Sequence, residues 1–188
     1  YGRKYARCLR RITHFFVQNE RSVELLRTIG VQDNVTIVGD TRFDRVIDIR
    51  NAAKPLPIVE QFIRPTDGNT SQPFVLVAGS SWQPDEDILL DYVNRHPDLR
   101  LVIAPHVVND AHIQEIEQKL TTPALRYSQA TLENVRDYRV LIIDGYGLLS
   151  SIYRYATVAY VGGGFGVGIH NVPEAAVYGI PVVIGPNH

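Results

Sequence analysis

Short runs of β-branched and other apolar residues recur along the chain at His14–Gln18, Val35–Val38, Phe74–Ala78, Leu101–Ala104, Val140–Ile143, Thr157–Val161 and Val182–Ile184. Most lack polar alternation, which is the pattern of strands covered on both faces of a parallel sheet. Between these runs, apolar residues return at helical spacing. Arg21–Ile29 ends at Gly30, a helix C-cap residue by type. Asp85–Asn94 sets Ile88, Leu89, Tyr92 and Val93 on one face, and Ala111–Leu120 and Leu148–Tyr155 read the same way. A short helix is expected at Ile58–Ile63 and another from about Val172. Strand and helix alternate from Phe74 to the end, so the expected architecture is an α/β, doubly wound parallel sheet.

A break in composition precedes that region. Residues 55–73 hold four prolines and the turn-rich stretch that starts at Pro65, which places a boundary near Arg50. Residues 1–50 then read as the tail of another domain, residues 51–73 as a linker, and residues 74–188 as a domain of their own. Tyr1 opens the chain and methionine is absent, so the expectation is an internal fragment.

Charge and cysteine content narrow the function. Lys+Arg is 19 against Asp+Glu 20, and this balance argues against nucleic acid as a partner. Cys8 is the single cysteine, which excludes an internal disulfide or a cysteine-rich zinc site and fits a reducing compartment. No apolar run approaches the roughly 18 residues of a membrane helix. The start is locally basic, with Arg3, Lys4, Arg7, Arg10 and Arg11, and at helical spacing four of these share a face. That face is either a solvated surface or a contact for anionic lipid or a phosphorylated acceptor.

In an open parallel sheet, ligands bind at the carboxyl ends of the strands. Four expected strand ends run into polar or glycine-rich loops: Gly79-Ser80-Ser81-Trp82, Pro105-His106, Asp144-Gly145-Tyr146-Gly147, and the loop from Gly162 to Asn171. The last contains Gly162, Gly163, Gly164, Gly166 and Gly168, which permit positive φ and close approach of backbone to a ligand. Its spacing is neither G-x-G-x-x-G nor a Walker loop. Asn171-Val-Pro-Glu174 reads as a capping box or as a ligand contact, with the Glu174 carboxylate on a ribose diol. Ser80 and Ser81 read as caps of the next helix or as donors to an anion. Asp85, Glu86 and Asp87 complement that helix's dipole. Trp82 is either a packing residue or part of the site. His106 and His170 are ligand candidates, while paired metal-binding spacings and a G-x-S-x-G elbow are lacking.

Five segments in order carry a family resemblance: Phe16-Val-Gln-Asn-Glu-Arg-Ser22, Val38-Gly-Asp-Thr-Arg-Phe-Asp44, Val77-Ala-Gly-Ser-Ser-Trp82, Asp144-Gly-Tyr-Gly-Leu148 and Gly168-Ile-His-Asn-Val-Pro-Glu174. Together they resemble the 3-deoxy-D-manno-octulosonic acid (Kdo) transferases of Gram-negative bacteria, closest to the Bacteroides-type branch. The resemblance implies a GT-B glycosyltransferase of lipopolysaccharide biosynthesis. Kdo would pass from CMP-Kdo to the lipid A precursor with inversion, without a metal and without a cofactor. It implies a membrane surface on the cytoplasmic side of the inner membrane for the whole protein. Residues 1–50 would end the acceptor domain and residues 74–188 would form most of the donor domain. Donor contacts carried over by the resemblance are Pro105, His106, Tyr146, Gly147, Leu149, Asn171 and Glu174, joined by the loop residues Ser80, Ser81, Gly163, Gly164 and His170. Two positions depart from the family pattern, with His106 where an arginine is usual and Leu148 where a glutamate is usual. The family's general-base glutamate has no counterpart here, so catalytic residues are expected outside this chain. Other readings are a GT-B enzyme or epimerase using a UDP-sugar, and a non-catalytic nucleotide-binding domain.

Overall fold

A computed structural model describes residues 2–65 and 72–188, with side chains described from Tyr5 onward. The chain divides into two compact units, Tyr1–Asp48 and Ile49–His188.

In the first unit, helix α1 (Gly2–Leu9) leads to strand β1 (Phe15–Val17), helix α2 (Glu20–Thr28), strand β2 (Val35–Ile37) and helix α3 (Thr41–Ala52), within which the division falls. β1 and β2 pair in parallel, Phe15 opposite Val35 and Val17 opposite Ile37. Asn19 starts α2 by accepting from the Ser22 amide at 3.0 Å, and Gly30 follows its end at φ +83°. The basic face expected from residue 3 to residue 11 is not continuous, because α1 stops at Leu9. The Arg10 amide still donates to the Ala6 carbonyl at 3.1 Å, but its side chain turns away and Nε donates to the Ile29 carbonyl at 2.6 Å. The side chains of Arg3 and Lys4 lie outside the described residues. α3 was not expected. Its start is held by Asp40, whose carboxylate accepts from the Arg42 amide at 3.0 Å.

The second unit contains helix α4 (Pro57–Phe62), strand β3 (Phe74–Ser81), helix α5 (Gln83–Arg95), strand β4 (Leu99–Pro105), helix α6 (Asp110–Lys119), and strands β5 (Ala124–Arg126) and β6 (Val140–Ile142). Helix α7 (Leu149–Ile152), strand β7 (Val158–Val161), helix α8 (Val172–Ala176) and strand β8 (Val182–Ile184) complete it. The six strands form one parallel sheet in the order β5-β6-β4-β3-β7-β8. This is the doubly wound sheet expected from the sequence. Two differences stand out. β5 was not expected, because its three residues contain one buried apolar side chain, Leu125. The helix expected over Leu148–Tyr155 is shorter: α7 ends at Ile152 and a 3₁₀ turn follows over Tyr153–Tyr155. The turn-rich stretch at residues 66–71 lies outside the described residues.

Alternate residues of the central strands feed two cores. Val75, Val77, Val102, Leu141, Ile143 and Val161 pack on one face with Val59 and Phe62 of α4 and with Ile152 and Tyr153. Leu76, Ala78, Leu101, Ile103, Ile142 and Tyr160 pack on the other with Leu90 and Val93 of α5 and Ile113 and Ile116 of α6. Both sets must be apolar, which is why the strands lack alternation. β3 pairs with β4 on one side and with β7 on the other. The chain fills the β4 side first and then crosses back to β7, so the winding reverses between β3 and β7. A crevice at the carboxyl ends of the strands at such a reversal is where ligands bind in open α/β sheets.

Candidate functional site

At the reversal point, β3 ends in a bulge. The register against β4 shifts between Gly79 and Ser81, and Ser80 sits at φ +51°. A non-glycine residue in the left-handed region costs about 1–2 kcal/mol, so the surroundings must hold it there. They do so by close backbone contact. The Gly162 amide donates to the Gly79 carbonyl at 2.9 Å, and a Cβ at Gly162 would lie 2.4 Å from the Ser80 carbonyl oxygen. The His106 amide donates to the Ser81 carbonyl at 2.8 Å, which brings the end of β4, with buried Pro105, against the bulge.

Asp85 ties the two sides of the crevice together. Its carboxylate is 1% exposed and accepts from the Trp82 amide at 2.9 Å, the Gly163 amide at 3.0 Å and the Tyr160 hydroxyl at 2.5 Å. Burial, and then the Asp85 carboxylate, push the Tyr160 phenol far above its ordinary value, so it remains a donor. From the sequence alone, Asp85 reads only as a complement to the α5 dipole. The one available signal was its place three residues after Trp82, where a side chain reaches back to the amide before a helix. The reading of Ser80 and Ser81 as side-chain caps of α5 is corrected. Trp82 occupies the cap position, and the Ser81 hydroxyl donates instead to Glu86 Oε1 at 3.0 Å. Glu86 is also 1% exposed, and His112 Nε2 lies 3.0 Å from the same oxygen.

Three rings gather above this frame. The Trp82 indole stacks on His106 with centroids 4.4 Å apart, and His106 stacks on His170 at 4.6 Å. Trp82 Nε1 donates to His170 Nε2 at 2.9 Å. Burial and then the neighbouring His106 hold His170 below the usual histidine value, with Asp85 acting in the opposite sense.

The glycine loop after β7 folds back on itself. Gly163 stands at φ +96°, and its carbonyl accepts from the Gly168 amide at 3.0 Å. Gly164 meets the backbone of Gly185 at the end of β8, where a Cβ would lie 2.6 Å from the Gly185 Cα. At the start of α8, the capping-box reading of Asn171 is also corrected. Its side chain makes no bond to the helix amides, and its Nδ2 donates to Glu174 Oε1 at 2.8 Å. Glu174 is half-buried, and its charge adds to burial in raising the Tyr153 phenol. Tyr153 and Leu149 both lie against Gly79, where a Cβ would meet the Tyr153 hydroxyl at 2.0 Å and Leu149 Cδ1 at 2.7 Å.

The structure therefore gathers Ser80, Ser81, Pro105, His106, Gly163, Gly164 and His170 about Trp82 and Asp85. Leu149, Tyr153, Asn171 and Glu174 lie along the neighbouring strand ends. Tyr146 is not brought in: it is 78% exposed, and no hydrogen bond or ring contact among the described residues joins it to the others. Gly147 beside it stands at φ +87° with open space around it. A cleft of about 380 Å³ opens beside Ser81, Trp82, Val107, Asn109 and His112. A larger one of about 440 Å³ lies at the opposite, amino ends of β3 and β4, beside Phe74, Asp98, Arg100 and Arg139. Among the described residues, no three His, Cys, Asp or Glu side chains are placed to hold a metal ion, and no helix is long and apolar enough to cross a membrane.

No family model matches the chain. It is 24% identical to the 3-deoxy-D-manno-octulosonic acid transferase of Rickettsia prowazekii over 188 residues, covering 95% of this chain and 38% of the relative. It is 29% identical to the corresponding enzyme of Aquifex aeolicus over 116 residues, 59% of this chain and 31% of the relative. The chain thus spans about two fifths of the length of the first of these relatives. Among solved structures, it is similar to the C-terminal CMP-Kdo binding domain of WaaA from Acinetobacter baumannii, with TM-score 0.54 and 22% identity, over 77% of this chain and 70% of that one. Nearly the whole chain is thus similar in sequence to 3-deoxy-D-manno-octulosonic acid transferases, and most of it shares the fold of that C-terminal domain.

Proposed function

We propose that this chain is the donor-binding part, with the end of the acceptor-binding part, of a GT-B Kdo transferase. The enzyme moves Kdo from CMP-Kdo to the lipid A precursor in lipopolysaccharide biosynthesis. Residues 1–50 end the acceptor domain, residues 51–73 link, and residues 74–188 hold the donor. The single observation that carries this reading is the built crevice at the reversal point, where Asp85 clamps the glycine loop of β7 to the bulge of β3. Loop backbone, stacked rings and the Glu174 carboxylate suit, in turn, a phosphate, a pyrimidine and a ribose diol. The sequence likeness to Kdo transferases supports CMP-Kdo over other donors.

In the reaction, an acceptor hydroxyl attacks the anomeric carbon of Kdo from the face opposite CMP. The carbon–oxygen bond to phosphate breaks, CMP leaves with the electron pair, and the hydroxyl proton passes to a base. This chain's part is to bind and orient the nucleotide and to stabilise the charge that grows on the leaving phosphate. The base belongs to the acceptor side, by the family resemblance. Inversion and independence of metal belong to the same proposal, as does a working place at the cytoplasmic face of the inner membrane with the lipid acceptor.

Calorimetric titration of the chain with CMP, UMP and UDP tests the reading. Saturable CMP binding with at least tenfold preference over UDP is expected. Preference for UDP would move the chain to UDP-sugar enzymes, and no binding of any nucleotide would favour a non-catalytic domain.

A further inference from the structure

His170 has two ring nitrogens, and the one that faces Trp82 settles the state of the other. The indole N–H of Trp82 lies 2.9 Å from His170 Nε2. An indole nitrogen donates and never accepts, so Nε2 is the acceptor and carries no proton. A neutral imidazole that accepts at Nε2 carries its proton on Nδ1. That is the less populated tautomer of a free histidine in water. Protonating Nε2 would set two N–H groups against each other.

Trp82 is itself firmly held. Its amide donates to the buried Asp85 carboxylate, its ring stacks on His106, and it directly precedes α5. The titratable groups that face His170 are His106, 4.6 Å away ring to ring at the end of β4, and Asp85 in the first turn of α5. From its own loop the neighbour is Gly163, whose Cβ position is 3.1 Å from His170 Cδ2. Burial and then His106 oppose a charge on the ring and Asp85 favours one, with a net shift towards the neutral form.

We propose that Trp82 is a positioning residue: by donating to Nε2 it holds His170 as the neutral Nδ1–H tautomer, so that the glycine loop offers the nucleotide phosphate a donor there. This role rests on the nucleotide reading above and assigns the one tryptophan of the chain to the tautomeric state of a loop histidine.

The test is long-range ¹H–¹⁵N NMR of the histidine rings in the 188-residue chain, followed by CMP titration of variants. Wild type is expected to show His170 protonated at Nδ1 and unprotonated at Nε2 above pH 7. In Trp82→Phe, which keeps a flat ring over His106, the Nε2–H form should take over, the ring should titrate at higher pH, and CMP affinity should fall about tenfold or more, the worth of one hydrogen bond to a charged phosphate. Two further variants read the same point without touching the tryptophan. His170→Asn places an amide near the Nδ1 position and should hold CMP within about threefold of wild type. His170→Gln places it near Nε2 and should lose about tenfold. An Nε2–H tautomer in wild type, an unchanged tautomer in Trp82→Phe, or a Gln variant that binds better than Asn would overturn the proposal. The tautomer shift without any CMP binding would overturn the nucleotide reading and leave the hold of Trp82 on the ring standing.

Discussion

Replacing Asp85 by alanine removes the acceptor of three hydrogen bonds at once. Two of the donors are amides, of Trp82 and Gly163, and the third is the Tyr160 hydroxyl. A hydrogen bond to a charged group is worth about 1.5–3 kcal/mol, and a buried donor left without a partner costs about 1–3 kcal/mol. The three do not add fully, because water can enter beside the truncated side chain. A net loss of about 3–5 kcal/mol is expected, a large share of the roughly 5–15 kcal/mol of a typical domain. In melting temperature this is a fall of about 6–20 °C, at roughly 2–4 °C per kcal/mol for a chain of this size. Asp85→Asn keeps one acceptor oxygen but turns a donor towards one of the three, so it should lose about 1–3 kcal/mol. The assay is urea unfolding followed by the fluorescence of Trp82, the only tryptophan, with far-ultraviolet dichroism as a second probe. CMP binding measured where both variants remain folded should fall in the order wild type, Asn, Ala. An alanine variant within 1 kcal/mol of wild type would refute the view that Asp85 clamps the glycine loop.

Three other outcomes follow from the same geometry. Gly162→Ala should destabilise by about 2 kcal/mol or more, because its Cβ would stand 2.4 Å from the Ser80 carbonyl oxygen, while Gly166→Ala, with open space around it, should change stability by less than about 0.5 kcal/mol in the same unfolding assay. The native chain holds His170 below the value near 6.5 that it has when unfolded, so the unfolded chain takes up this proton first. The ring's contribution to stability is therefore complete above about pH 6.5 and is lost as pH falls from there through the native value; unfolding free energies measured from pH 8 to 5 should fall more steeply in wild type than in His170→Asn. Glu174→Ala should weaken CMP by about tenfold and 2′-deoxy-CMP by less, as expected for a lost bond from the ribose hydroxyl to a carboxylate. Its melting temperature should move by less than about 2 °C, since the Asn171–Glu174 pair does not cap α8 through Asn171.

The sheet was legible in the sequence because each central strand must be apolar on both faces, and Val75 to Ala78 or Leu101 to Ala104 can be little else. β5 was not legible. Its edge strand carries one buried apolar residue, Leu125, and is held by Arg126, which pairs with Glu117 and Asp110 of α6, contacts no local pattern announces. The glycine loop was visible as a composition, and its place followed from the strand before it. Its anchoring was not visible. Asp85 looks like any acid at a helix start until β7 places Tyr160 and Gly163 beside it, more than seventy residues along the chain. The same holds for Trp82, His106 and His170, which come from three separate loops and meet only because β4, β3 and β7 are neighbours. The bulge at Ser80 is a tertiary effect as well, since serine has no intrinsic preference for positive φ. Tyr146 shows the reverse: a motif position that the fold leaves in solvent.

The most direct measurement is a crystal of this chain soaked with CMP. The nucleotide should lie at the carboxyl ends of β3, β4 and β7, with its phosphate against the loop from Gly163 to His170 and its ribose within hydrogen-bond reach of Glu174. CMP bound instead in the cleft beside Arg100 and Arg139 at the other end of the sheet, or no density at saturating nucleotide, would contradict the account.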